Sequence, residues 1–216
     1  MANRRKHFSR LGITALVTLV TGGGVTWYIE QSETIAERES QYRLPKEQRA
    51  LLRHGDIILR RGYGMVSRMI ATRLEGVYAL SHCGVVIERD SRFYVVHTVS
   101  SNVSDFDGMQ IHSLDEFVRQ SKPGSIAVTR LNDSLDVAIL IRESLRFLEA
   151  QVPFDHDFDL HDASTLYCSE MIWRALKEGG GHDIYAGLYD EEGAWYSFDA
   201  FFNRAYFTEV FNQHKP

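Results

Sequence analysis

Between Leu11 and Ile29 the chain runs for 19 residues without a charge (LGITALVTLVTGGGVTWYI). As a helix rising about 1.5 Å per residue it covers roughly 28 Å, close to the hydrocarbon thickness of a bilayer. Trp27 and Tyr28 stand at its far end, where interfacial aromatics belong, and Arg4, Arg5, Lys6 and Arg10 precede it. Gly22-Gly23-Gly24 is a poor interior for a buried soluble helix. Residues 1–10 are therefore expected as a basic cytoplasmic tip and 11–29 as a single-pass anchor in the inner (plasma) membrane, with the remainder outside the cytoplasm. Gly22 and Gly24 also imitate the small residues of a cleavage site, so a signal peptide is the alternative for 11–29.

The net charge of −5 hides an asymmetry, because the first 29 residues carry four basic side chains and no acidic one. Residues 30–216 hold 20 basic and 29 acidic side chains, a net of −9. Such a body repels nucleic acid, and no basic run interleaved with aromatics interrupts it, so nucleic-acid binding is not expected. Two cysteines, Cys83 and Cys168, cannot build a disulfide scaffold and lack the CxxC spacing of a zinc site. No cofactor is expected.

Residues 30–52 are rich in charge and read as a helical, solvated stalk that holds the domain off the membrane; residues 53–216 read as one α+β domain. Strands are expected at Asp56–Arg60, Cys83–Glu88, Phe93–Val99 and Ser125–Arg130, and helices at Met65–Leu74, Leu114–Gln120 and Leu135–Ala150. Another helix follows Tyr167 and stops at Gly179-Gly180-Gly181. The aromatic-rich end, Trp195 to Phe211, is expected to pack back onto the core.

Three residues stand out chemically. With Thr165 as N-cap, Cys168 falls in the first turn of its helix, where free N–H groups and the helix dipole favour a thiolate and could hold an oxyanion. Taken alone, Cys168 reads as an inert buried cysteine on an apolar face. If Asp90-Ser91 forms a two-residue turn, paired positions sum to 181, residue 84 lies opposite 97, and His82 and His97 share one face as diagonal neighbours. Gly84 leaves room between them. An odd-length turn would separate them. The same parity turns Cys83 to the other face, away from the cleft and from Cys168, as a core residue. Two imidazoles on one face suit a base and its orienter beside a nucleophile. The run from Asp155 to Asp162 invites a metal reading but lacks the Gly and Glu of a calcium loop, so a loop lining the cleft is the preferred reading.

Four segments in order, HGDIILRRG (54–62), SHCGVVI (81–87), VVHTV (95–99) and LYCSEMIWRAL (166–176), resemble the YiiX/YebB-like group, circularly permuted members of the NlpC-type papain-like superfamily. The resemblance covers roughly residues 50–180. It implies a permuted papain-like α+β domain, an antiparallel sheet packed against helices. It further implies a cysteine hydrolase in which Cys168 is the nucleophile, His82 the base and His97 the third polar residue, with Tyr167, Asp56 and Ser81 beside the main-chain N–H of Cys168 as oxyanion or substrate contacts. His82 precedes Cys168 by 86 residues, the inverse of the papain order, as permutation requires. Lecithin:retinol acyltransferase-like enzymes share that order, but their Asn-Cys-Glu is Tyr-Cys-Ser-Glu here. A peptide, amide or lipid substrate is implied: cleavage of a cell-wall peptide or related amide is the leading reading, a lipid acyltransferase or deacylase the second, and a noncatalytic ligand-binding module the third.

Overall fold

A computed structural model describes residues 30–74, 76–101, 104–186 and 197–215. The apolar segment 11–29 lies outside the described residues, as does Trp195; among the described residues no helix is long and apolar enough to cross a membrane.

Six antiparallel strands form one sheet in the order β4-β3-β2-β1-β5-β6. They are β1 (Ile57–Arg60), β2 (His82–Arg89), β3 (Arg92–Val99), β4 (Gly108–Ser113), β5 (Ala127–Leu131) and β6 (Phe207–Asn212). The helices are α1 (30–39), α2 (Lys46–Arg49), α3 (Gly64–Arg73), α4 (Leu114–Arg119), α5 (Val137–Glu149) and α6 (Cys168–Gly180), with a 3-10 turn at Phe198–Phe202. The four expected strands and four expected helices form close to where periodicity placed them. β4 and β6 were not anticipated, because MQIHS and TEVFN carry neither a run of apolar residues nor a clean alternation.

The sheet separates two apolar layers. One face sends Ile57, Leu59, Cys83, Val85, Ile87 and Val96 toward α5 and α6, where Leu140, Phe147, Met171, Ile172 and Leu176 meet them. The other sends Ile58, Val86, Val95 and Val128 onto Leu114, Phe117 and Val118 of α4. The even-numbered and odd-numbered residues of β2 thus serve different layers, the period of two that a strand imposes. The aromatic end does pack back: Phe198, Phe201 and Phe207 join the first layer and Phe211 leans on the second.

The β2–β3 register is the one that fixes the later chemistry. Val85 pairs with Val96 and Arg89 with Arg92, so paired positions sum to 181 around a two-residue turn. Asp90 (φ 49) and Ser91 (φ 58) both take left-handed conformations, the type I′ geometry whose twist matches that of a hairpin. At Gly84 an added Cβ would stand 2.8 Å from the Val96 carbonyl oxygen and 3.0 Å from the His97 Cβ, so the close approach of the two strands there requires glycine.

Residues 30–39 are helical, as expected, but they are not a free stalk. α1 lies against the domain: Glu30 accepts the Met65 N–H at 2.7 Å, and Glu33 accepts the Gly64 N–H at 2.6 Å while pairing with Arg68 and Lys122. The reason is the four donors that every helix leaves unpaired at its start; here the carboxylates of α1 cap α3. α3 differs in a second way. Met65 (46% exposed) and Met69 (58% exposed) stand at the surface, while Ile70 and Leu74 lean on the core.

Candidate active site

α6 begins on Cys168 itself, with Tyr167 as N-cap in an extended conformation. This corrects Thr165 as the cap by two residues. The signal that mattered is Glu170: as third residue of the helix it reaches back to accept the Tyr167 N–H at 3.3 Å, one half of a capping box. Glu170 also pairs with Arg174 at 2.7 Å, one turn on. Burial pushes its carboxyl up to about 7 against the pull of that guanidinium. The negative charge next door to Cys168 is thereby committed to α6's own backbone and to Arg174.

Cys168 is 9% exposed, and its thiol is held well below the ordinary range. The leading cause is a hydrogen bond from the Cys83 side chain; burial opposes it, and the hydrogen bond and charge of His82 and the main-chain N–H of Cys83 add to it. Cys83 shifts the other way, raised by burial and by Cys168. The placement of Cys83 away from Cys168 is therefore corrected. Strand parity does send Cys83 to the face opposite His82, but α6 covers that same face, so the sulfur of Cys168 arrives from Cys83's side. It reaches His82 as well because His82 is the first residue of β2, where the sheet ends.

The histidines occupy the other layer. His82 Nε2 lies 2.8 Å from His97 Nδ1, and His97 Nε2 lies 3.1 Å from His112 Nδ1. All three are shifted below the ordinary imidazole range, first by burial: in His82 the bond to Cys168 opposes the shift and Arg60 adds to it, in His97 the neighbouring His82, His112 and Arg60 add to it, and in His112 Glu116 opposes it. The ring of Phe117 is a common floor for His82, His97 and Arg60: His82 stacks on it at 5.6 Å, His97 meets it edge-on at 5.3 Å and the Arg60 guanidinium lies 4.6 Å from its centre. Arg60 is the register partner of His82 on β1. Its Nη1 donates to the Gln120 carbonyl oxygen, its Nε has no partner among the described residues, and burial lowers it to about 10.

His112 and Arg60 are the two residues that sequence reading missed. His112 sits on the unforeseen β4, opposite Val95; its spacing of 15 from His97, equal to that of His97 from His82, was the one clue available.

Around these groups lies a cleft of about 600 Å³. Ile70, Leu74, Phe154, Phe158 and Phe198 give it an apolar side, while Glu30, Glu37 and Glu116 bring acid to it. Tyr167 and Ser81 line it, and Ser81 accepts the Gly62 N–H at 2.9 Å. Asp56 does not line it. It is fully buried and takes Arg130 Nε at 2.7 Å, Arg130 Nη2 at 2.9 Å and the Arg53 N–H at 2.8 Å. Its expected contact with oxyanion or substrate is corrected to a structural ion pair that ties the residue before β1 to Arg130 of β5.

The acidic run 155–162 turns inward on its own backbone. Asp155 accepts from Asp157 and Phe158, Asp159 from His161, and Asp162 from Ser164. Phe154 and Phe158 of this loop line the cleft. Among the described residues no group of three or more His, Cys, Asp or Glu side chains is placed to hold a metal ion. Four of the six ring nitrogens of His82, His97 and His112 are spent on one another.

The model of the permuted papain-like amidases of the YaeF/YiiX type, family C92, matches residues 51–186. The chain belongs to that family. It is accordingly a papain-like cysteine hydrolase of amidase type. The crystal structure of the metalloprotein YiiX from Escherichia coli O157:H7 is similar in fold, with a TM-score of 0.58 at 19% identity over 74% of this chain and 97% of that one. No curated protein matches the chain. The described cleft brings Cys168, His82 and His97 to one lining.

Proposed function

We propose that this amidase is a membrane-anchored, single-pass enzyme that cleaves an amide of a cell-wall peptide or related molecule outside the cytoplasm, using Cys168 as nucleophile. The observation that carries the reading is the contact of the Cys168 thiol with His82, whose second ring nitrogen is already engaged by His97. The thiolate attacks the amide carbonyl carbon; the N–H of Cys168, at the open end of α6, faces the developing oxyanion. His82 returns its proton to the leaving amine, and water releases the acyl group. His97 fixes the tautomer and angle of His82. Tyr167 and Ser81 contact the substrate from the cleft wall. The uncharged Leu11–Ile29 segment, preceded by four basic residues, supports the anchor and its orientation.

A second reading, transfer or hydrolysis of a lipid acyl group, is favoured by one feature: the apolar side formed by Ile70, Leu74, Phe154 and Phe158. Incubation of the full chain with peptidoglycan fragments and, separately, with short-chain phospholipid, followed by mass spectrometry, separates the two. Peptide products that vanish in Cys168→Ala support the amide reading; lysophospholipid or acyl transfer alone supports the second. Product that survives Cys168→Ala overturns the assignment of Cys168, and product from neither substrate overturns both substrate readings.

A further inference from the structure

We propose that Cys83 is a resolving thiol for Cys168: when hydrogen peroxide enters the cleft and oxidises Cys168, Cys83 closes a disulfide with it, a reversible off-state of the enzyme. This goes beyond the proposed reaction and rests, as that reading does, on a reactive Cys168. The two are the only cysteines in the chain, so no other intramolecular pairing competes. Their surroundings give them different parts. Cys168 lines the cleft, where a small oxidant in solution meets it. Cys83 is fully buried and does not line the cleft, so the route to its sulfur runs through Cys168.

The contact between them is sulfur to sulfur. The Cys83 side chain and the Cys83 main-chain N–H both hydrogen-bond to Cys168, and His82, the residue before, bonds it as well. Two successive residues of β2 thus fix the Cys168 sulfur against the strand. Around the pair lies one buried layer, with Leu59, the register partner of Cys83 on β1, and Met171 and Ile172 of α6. A cysteine that served only as core packing would present its sulfur to carbon. This one presents it to the only other sulfhydryl of the molecule. The bond would therefore join groups that the fold already holds together, between a strand and a helix of the same layer. The charge is also placed for it: the cleft-side thiol of Cys168 is held low, first by the Cys83 bond, while burial and then Cys168 keep the proton on Cys83. The thiolate is the form that attacks a peroxide.

Two steps balance the chemistry. The Cys168 thiolate attacks one oxygen of hydrogen peroxide; an S–O bond forms, the O–O bond breaks, and the departing hydroxide leaves as water with the proton that His82 took from Cys168. The Cys168 sulfenic acid then condenses with the Cys83 thiol. The S–O bond of Cys168 and the S–H bond of Cys83 break, an S–S bond forms, and hydroxyl and proton leave as a second water. Each sulfur is oxidised by one electron, and the peroxide is reduced to water. Without a resolving thiol the sulfenic acid meets a second peroxide and becomes a sulfinic acid, which thiol reductants do not reverse. The disulfide thus silences the nucleophile and preserves it.

The test needs no substrate. The full chain is treated with hydrogen peroxide at neutral pH, quenched with iodoacetamide in denaturant, and mapped by mass spectrometry without reduction. The expected product is a monomer whose Cys83 and Cys168 peptides are cross-linked, with two hydrogens lost; dithiothreitol restores native labelling of Cys168 by iodoacetamide. In Cys83→Ser, whose hydroxyl keeps a donor beside Cys168, peroxide abolishes that labelling and dithiothreitol does not bring it back. Oxidised Cys168 beside an alkylatable Cys83, a disulfide between two chains, or no oxidation of either cysteine overturns the proposal. So does full recovery in Cys83→Ser; should that variant fail to fold, the peptide map of the unaltered chain decides alone. The alkylation profile of Cys168 in the untreated chain, read across about pH 5–9, tells the two failures apart. A profile below the ordinary thiol range leaves Cys168 as nucleophile even where no disulfide forms, whereas one in the ordinary range overturns the nucleophile reading itself.

Discussion

The two faces of the sheet contribute different halves of the site. The α5/α6 face brings Cys168, held by Cys83 and by a helix start that is locally self-sufficient. The α4 face brings three histidines and Arg60, none of which is positioned by its own segment; they are set by strand register and by one phenylalanine ring. Cys168 is placed by one helix turn and held by groups of β2, whereas the row of imidazoles needs three strands. The two halves meet only because His82 opens β2, at the edge where side chains from both layers can touch.

That contrast is open to attack from each face. The largest effect is expected at the shared floor: Phe117→Ala should cost about 3–5 kcal/mol in denaturant unfolding, and Cys168 alkylation at neutral pH should slow with it. Retained stability with normal alkylation would show that the histidines hold themselves in place. Next comes the helix face. The native Glu170 carboxyl is raised from the ordinary 4.5 to about 7, first by burial. The folded state therefore keeps a proton that the unfolded chain releases, and stability should fall as pH rises from about 4.5 to about 7. Glu170→Gln should remove on the order of 2–3 kcal/mol of that slope, read from unfolding midpoints across the window; an unchanged slope would place the titration elsewhere. The smallest effect on stability is expected at Cys83→Ala, about 1 kcal/mol. Because the Cys83 side chain is the leading group holding the Cys168 thiol down, the Cys168 alkylation profile should move up in this variant; an unchanged profile would mean that the histidine face alone sets the thiolate.

Much of the scaffold was legible because its signals are local. Short runs rich in Val, Ile and Leu marked β1 to β3, the Asp90-Ser91 turn gave the register that aligns His82 with His97, and Gly181, left-handed at φ 72, ended α6 after the glycine run had announced it. Asp56 shows where locality ends: a carboxylate next to a conspicuous strand looked available for substrate, yet its partner Arg130 lies 74 residues away. α1 shows the same for charge. A stretch with Glu30, Glu33 and Glu37 on one side reads as a solvated face until the unpaired N–H groups of α3 are placed against it.

Residue order alone established the identity and succession of the chemical groups: a cysteine opening a helix, two histidines brought to one face by a two-residue turn, and an uncharged segment ahead of a net-acidic body. Strand period and turn chemistry are properties of neighbouring residues, so they can be read without a fold. Which layer each group meets was settled only when the chain packed. Parity says that Cys83 and His82 face opposite ways, but not which face α6 will cover. Nor does any local pattern say that a weakly patterned β4 will add a third imidazole to the row. Those outcomes depend on how two sheet faces, each apolar enough to be buried, are shared among helices far away in the chain.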